Sequence, residues 1–301
     1  MIEMKMHFFL RPTPVEAVPR LAAALGIPPD GLFFKRDDLM GLAGGGNKVR
    51  KLEIMMADAV RRGARVLVTT GAQQSNHARL TAAAGARLGM HVILVLAGER
   101  PEKLTGNLLL DQILGAEFVF AGTSDTETIA AELATERDAF RIPFGGTNAL
   151  SAEAYRQAGV ELLEQVPDLG SVTVAVGSGG TMAGLVAAIG AERVRGVDSG
   201  ALKDARAAVA RLIDEMGFAS GALRIDEEQV GAGYEYLTEA AREAIDLTAR
   251  MEGIILDPTY TGRAMAGLIS AARHHRLPEG TAVFLHTGGL PGLFGNEQIQ
   301  S

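Results

Sequence analysis

Lys48 stands in "GLAGGGNKVRKLE" (41–53), directly behind three glycines and an asparagine, and the residues after it carry the apolar spacing of a helix. A cation there faces the positive end of the helix macrodipole, and Arg50 and Lys51 add charge of the same sign. The position is poor for a solvated ammonium and useful for a nucleophile, because only the neutral amine attacks and nearby positive charge lowers its pKa. The alternative is an ordinary glycine loop with solvated charges.

A second segment, "GSGGTMAG" (177–184), follows the apolar run "VTVAV". A glycine turn that opens a helix presents unpaired backbone N–H groups to an anion, here with the hydroxyls of Ser178 and Thr181 beside them. Glycines required only for a tight turn would read the same way. No Lys-Ser/Thr pair follows, so the segment is not a nucleoside-triphosphate loop, and it lacks the G-x-G-x-x-G spacing with an acidic residue about 20 positions on. A phosphate cradle, a lysine of lowered pKa and no metal or nucleotide motif together suggest an aldehyde cofactor that carries its own phosphate. Pyridoxal 5'-phosphate is that cofactor.

Such residues need a scaffold, and the chain supplies short apolar runs at 65–70, 91–96, 117–120, 172–176, 193–197 and 282–286, with helical patterns between most of them. In the first helix Val49, Leu52, Met55, Met56, Ala59 and Val60 share one face, with Arg61 and Arg62 at the cation-favouring end. Strands apolar throughout and separated by helices read as parallel sheet covered on both faces, so the class is α/β. Ligands bind at the carboxyl ends of such strands. The loops there, "TTGAQQSNH", "VGSGGT" and "HTGGLPG", are rich in small and hydrogen-bonding residues and predict one shared cleft.

The chain has 301 residues, 47% of them hydrophobic, enough for one large domain or two ordinary ones. Its net charge of −7 and lack of a long basic run argue against nucleic acid or an anionic membrane as the partner and for a small molecule. Cysteine is absent, which excludes disulfides, thiolate metal ligands and a catalytic thiol and fits a cytoplasmic protein. The N-terminal residues show no leader pattern. Residues 169–191 are uncharged and long enough to span a bilayer, yet they read as strand, loop and helix. No metal-ligand cluster is expected: "HHR" (274–276) reads as a helix C-terminus, and the methionines as core filler.

The blocks "FFKRDDLMGLAGGGNKVRKLE", "GAQQSNHARLTAAAGARLGM", "IPFGGTNALS", "LDPTYTGRAMAGLI" and "HTGGLPGLF" together resemble the D-cysteine desulfhydrase and 1-aminocyclopropane-1-carboxylate (ACC) deaminase family, from about residue 10 to residue 294. Those are pyridoxal-phosphate enzymes of the tryptophan-synthase β fold. The resemblance implies two open, twisted, mostly parallel sheets: a large domain from residues 1–46 and 158–301, a smaller one from 47–157, and the cofactor in the cleft between them. It implies that Lys48 is the covalent anchor and that Ser178, Gly179, Gly180 and Thr181 hold the phosphate. Asn76 would bond the cofactor's phenolic oxygen, and Ser75, Asn76 and His77 would take the substrate, Ser75 also as a nucleophile or proton carrier. Tyr260 and Tyr234 would be the active-site tyrosines, and family members are commonly homodimers. On local sequence alone, Ser75 and Asn76 could equally cap a helix, and Tyr260 could be a packed turn residue.

Thr261 and Thr287 bear on the reaction. The family resemblance places Thr261 against the cofactor's ring nitrogen, where ACC deaminases carry Glu, and Thr287 where they carry Leu. A hydroxyl can only hydrogen-bond, so the ring is a weaker electron sink. β-Elimination tolerates this, since its electrons depart with the β-group, whereas opening a cyclopropane should not. The expectation is a carbon–sulfur lyase acting on D-cysteine or a close β-substituted alanine. L-cysteate sulfo-lyase, D-serine dehydratase-like and ACC deaminase activities are the nearer alternatives. A Rossmann-type nucleotide-binding protein or a non-catalytic cofactor carrier is the remote one.

Overall fold

A computed structural model of the chain describes residues 6–300; residues 1–5, on which part of the leader reading and of the first domain limit falls, and residue 301 lie outside it. The described residues form ten strands: β1 (Val15–Ala17), β2 (Leu32–Arg36), β3 (Val66–Gly71), β4 (His91–Leu96), β5 (Glu117–Phe120), β6 (Phe140–Arg141), β7 (Leu169–Val176), β8 (Val194–Asp198), β9 (Arg224–Asp226) and β10 (Thr281–His286). They make two sheets, one of order β1-β2-β10-β7-β8-β9 and one of order β5-β4-β3-β6. Only the β1–β2 pair is antiparallel.

The apolar runs are strands because both faces of each sheet are covered. In β7 and β10, Val172, Val174, Val176, Val283 and Leu285 pack toward the helices Ala149–Gln165, Gly180–Ile189 and Ala205–Glu215. The alternating residues Ala175, Ala282 and Phe284 pack the other way, toward Glu239–Glu252 and Thr261–Arg273. In the smaller sheet Leu67, Leu94 and Leu96 face the Lys48–Arg61 and Asn76–Leu88 helices, while Val68, Ile93 and Val95 face Thr126–Glu136. Period two within a strand thus serves two cores rather than a core and solvent.

All six expected strands are present, and β1, β2, β6 and β9 are additional. β2 hides in the sequence because it ends in Lys35 and Arg36. Lys35 is buried all the same, its ammonium donating to Glu161 Oε1 (2.5 Å) and to the Thr13 carbonyl (2.8 Å). Residues 169–191 divide into β7 and the Gly180–Ile189 helix, and no helix of the described residues is long and apolar enough to cross a membrane. The strands of the smaller sheet fall within the expected 47–157 insertion. The Ala149–Gln165 helix runs across its C-terminal limit, packing on both Lys48–Arg61 and Gly180–Ile189.

Candidate active site

A cavity of about 290 Å³ opens where the carboxyl ends of β3, β7 and β10 meet, between the two sheets. Its walls include Ser75, Asn76 and His77 after β3, Ser178, Gly179 and Thr181 after β7, and Thr287 after β10. Lys48, Tyr234 and Tyr260 complete this set, so the three loops do share one cleft. Gly180 and Thr261 do not line it.

Lys48 is the first residue of its helix. Gly46 before it packs against the β10 loop: it has φ of +120°, a Cβ there would lie 3.0 Å from the Thr287 carbonyl, and the Asn47 amide donates to that carbonyl (3.0 Å). Burial lowers the Lys48 pKa to about 8. The expectation that Arg50 adds to this effect is corrected. Arg50 turns away into a buried ion network, with Nε to Asp37 Oδ2 (3.0 Å) and Nη2 to Glu161 Oε1 (2.8 Å), and the Tyr155 hydroxyl also donates to Asp37 (2.6 Å). That network pins the helix to the end of β2 and to the Ala149–Gln165 helix.

Lys51 is the residue whose task the sequence reading missed. Its ammonium is buried and donates to Thr147 Oγ1 (3.0 Å), with no carboxylate in an ion pair with it among the described residues. Burial and then the charge of Lys48 push its pKa well down. A buried cation without an anion is costly, which marks the place an anion would fill. That place is the start of the Gly180–Ile189 helix. Gly179 precedes it with φ of +87°, and a Cβ on Gly180 would lie 2.9 Å from Lys51 Nζ. Helix amides, the Ser178 and Thr181 hydroxyls and the Lys51 ammonium therefore fit a phosphate dianion. Thr147 Oγ1 is 2.6 Å from Ser178 Oγ, and Asn47 Nδ2 donates to Thr181 Oγ1 (3.0 Å), which orients both hydroxyls. The available signal was spacing: Lys51 lies one helical turn after Lys48, on the same face.

At the start of Asn76–Leu88, Ser75 does cap the helix, its Oγ accepting from the Ala78 amide (3.1 Å). This leaves the amides of Asn76 and His77 as first-turn donors at the cavity wall. His77 is buried, with Nε2 2.9 Å from Thr69 Oγ1, and that hydroxyl donates to the Ile142 carbonyl (2.9 Å). Thr69 has one proton, so Nε2 carries the hydrogen and Nδ1, which has no partner among the described residues, offers a lone pair. Burial, then Lys48 and Lys51, hold the ring neutral by pushing its pKa well down. Neutral in this tautomer, the ring cannot donate to a carboxylate; the backbone amides can.

Tyr234 and Tyr260 meet hydroxyl to hydroxyl at 2.5 Å. Burial raises the pKa of both, so both hold their protons. Thr261, assigned to the ring nitrogen through the resemblance, is fully buried. Its hydroxyl donates to Asp257 Oδ1 (2.7 Å) and accepts from the Asp257 amide (2.7 Å). It closes the turn that presents Tyr260, whose amide also donates to Asp257 (2.8 Å), and Thr287 is the threonine that reaches the cavity. Among the described residues no group of three or more His, Asp or Glu is placed to hold a metal, and His274 follows the last residue of the Thr261–Arg273 helix.

The chain matches the family described as pyridoxal-phosphate dependent enzyme over residues 7–288. It resembles the crystal structure of an ACC deaminase homologue with a TM-score of 0.89 at 35% identity, over 97% of this chain and 93% of that one. More distant likenesses are to the processed form of threonine deaminase isoform 2 from Solanum lycopersicum (TM-score 0.70, 21% identity, 92% of this chain and 83% of that one) and to maize serine racemase (0.67, 17%, 92% and 88%). At those identities they speak to the fold alone.

Proposed function

The chain belongs to the family of pyridoxal-phosphate-dependent enzymes, and on that premise we propose that it is a lyase acting on D-cysteine or a close β-substituted alanine. With D-cysteine and water the products are pyruvate, ammonia and hydrogen sulfide. One observation carries this reading: Lys48 is the only lysine, arginine, aspartate or glutamate among the described residues lining the cavity. With no carboxylate at the wall, nothing holds a ring nitrogen protonated, which favours elimination over opening a cyclopropane. With Lys51 assigned to the phosphate and no second cation among the described residues of the wall, nothing compensates a sulfonate, which disfavours L-cysteate. A neutral thiol or hydroxyl needs neither.

When bound, pyridoxal phosphate supplies an electron-withdrawing ring conjugated to the substrate's amino nitrogen. The protein's own share is binding and proton movement. The amides of Asn76 and His77, at the positive end of their helix, receive the substrate carboxylate. Lys48, with its pKa near 8, can take the α-proton at Nζ close to neutral pH. Tyr234 and Tyr260, held protonated, act as donors toward the departing β-group rather than as bases. The 35% identical ACC deaminase homologue keeps ACC deamination as the second reading. The homodimer is carried over with the family and is checked by sedimentation.

Ammonia release from D-cysteine, D-serine, L-cysteate and ACC, measured in parallel on the cofactor-loaded protein, tests the proposal. D-cysteine should be turned over fastest and L-cysteate slowest. Turnover of ACC alone would overturn it.

A further inference from the structure

Behind Asn76 lies a fully buried polar cluster that the mechanism does not use. Arg79, one helical turn on, donates from Nη1 to Asn107 Oδ1 (2.9 Å) and to Asn76 Oδ1 (3.3 Å), and from Nη2 to the Gly45 carbonyl (2.7 Å). Asn107 Nδ2 donates to the Gln74 carbonyl (2.9 Å) and to Asn76 Oδ1 (3.2 Å), and its own amide donates to Gln74 Oε1 (2.9 Å). Both Arg79 and Asn107 have no solvent exposure.

A guanidinium can only donate, so each amide atom facing Arg79 must be an oxygen. That fixes the Asn107 side chain with its NH2 toward Asn76 and leaves two donors converging on Asn76 Oδ1. The Asn76 NH2 then has one direction left, into the cavity that Asn76 lines, and it has no hydrogen-bond partner among the described residues. Through Gly45, the same guanidinium grips the loop that carries Lys48.

We propose that Arg79 and Asn107 are positioning residues that lock the Asn76 amide as a hydrogen-bond donor toward the cofactor's phenolic oxygen, in register with the Lys48 loop. The proposal rests on the pyridoxal-phosphate reading of the cavity. Asp111, buried nearby with neither oxygen hydrogen-bonded among the described residues, is the carboxyl that faces this guanidinium; Lys48, neutral His77, Tyr234 and Tyr260 are the titratable groups lining the cavity, with Lys51 beside the helix start that fits the phosphate. A donor on the phenolic oxygen favours its anionic form and so lowers the pH midpoint of the lysine-bound cofactor's visible absorption.

The test uses Asn107→Asp, which keeps an acceptor for Arg79 but sets a carboxylate oxygen against Asn76 Oδ1 in place of a donor, so that the Asn76 amide is no longer held with its NH2 toward the cavity. Arg79→Lys, which keeps the charge and loses the fork, is the second variant. Two readouts are taken: the pH midpoint of the visible absorption, and the affinity of the cofactor-free protein for pyridoxal phosphate by fluorescence titration. Asn107→Asp should raise the midpoint by about one pH unit and weaken binding about tenfold. Arg79→Lys should move both the same way. If both variants fold and bind more weakly but leave the midpoint in place, the cluster is structural and the proposal fails. If wild type shows no visible absorption with the cofactor, the cofactor reading fails instead.

Discussion

Replacing Lys51 with methionine removes a buried ammonium while keeping most of its volume, and it should act in opposite directions on the two forms of the protein. Without cofactor, the Lys51 charge has a single threonine hydroxyl as partner among the described residues, and burial already pushes its pKa well down. Relief of that desolvation is worth on the order of 1–3 kcal/mol. The cofactor-free variant should therefore melt higher, by about 2–4 °C for each kcal/mol. With cofactor, the variant loses a charge-assisted hydrogen bond to phosphate, worth about 1.5–3 kcal/mol, so binding should weaken roughly 10- to 150-fold. Melting curves with and without saturating pyridoxal phosphate, and a binding titration of the stripped protein, read both effects. The expected result is a crossing: the variant is more stable empty and less stable loaded. If Lys51→Met is less stable empty and binds as tightly as wild type, Lys51 is a structural pin on Thr147 and the phosphate assignment is wrong.

Three further outcomes follow from the same geometry. If Lys48 is the covalent anchor, capture of pyridoxal phosphate requires its neutral amine, so the rate, followed by stopped-flow absorbance, should rise about tenfold per pH unit below about 8 and level off above. Glu161, held at about pH 2 by Arg50 and Lys35 against the cost of its burial, contributes stability that is present above about 4.5 and lost as pH falls toward 2. Calorimetry should show an acid loss on the order of 3 kcal/mol in wild type that is missing in Glu161→Gln, which should also be about 3–5 kcal/mol less stable at neutral pH. Thr261→Val should lower the melting temperature by breaking the bond to Asp257 and leave the bound cofactor's spectrum intact, whereas Thr287→Val should change the spectrum with little effect on melting.

The α/β class, the six principal strands and the convergence of the three loops follow from local pattern. Apolar runs such as "VTVAV" and "HVILVL" have no alternative to burial on both faces, and loops at strand ends in such sheets must gather. Lys48 stands out in the sequence for the same kind of reason, because its charge conflicts with its own helix end. Tertiary structure decided the rest. It hid β2 behind the charges of Lys35 and Arg36, which are met by Glu161 from a distant helix and by Glu16 across the β1–β2 pair. It also gave three neighbouring cations in one helix different fates. Lys48 faces the cavity, Arg50 is neutralised by Asp37 and Glu161, and Lys51 is left unpaired beside the helix start that fits a phosphate. Two threonines that look equivalent in the sequence likewise part company, Thr287 at the cavity wall and Thr261 closed onto Asp257. Spacing along a chain states which side chains share a face, but the sign and worth of a charge or hydroxyl depend on what lies within a few ångströms, and those neighbours are brought there only by folding.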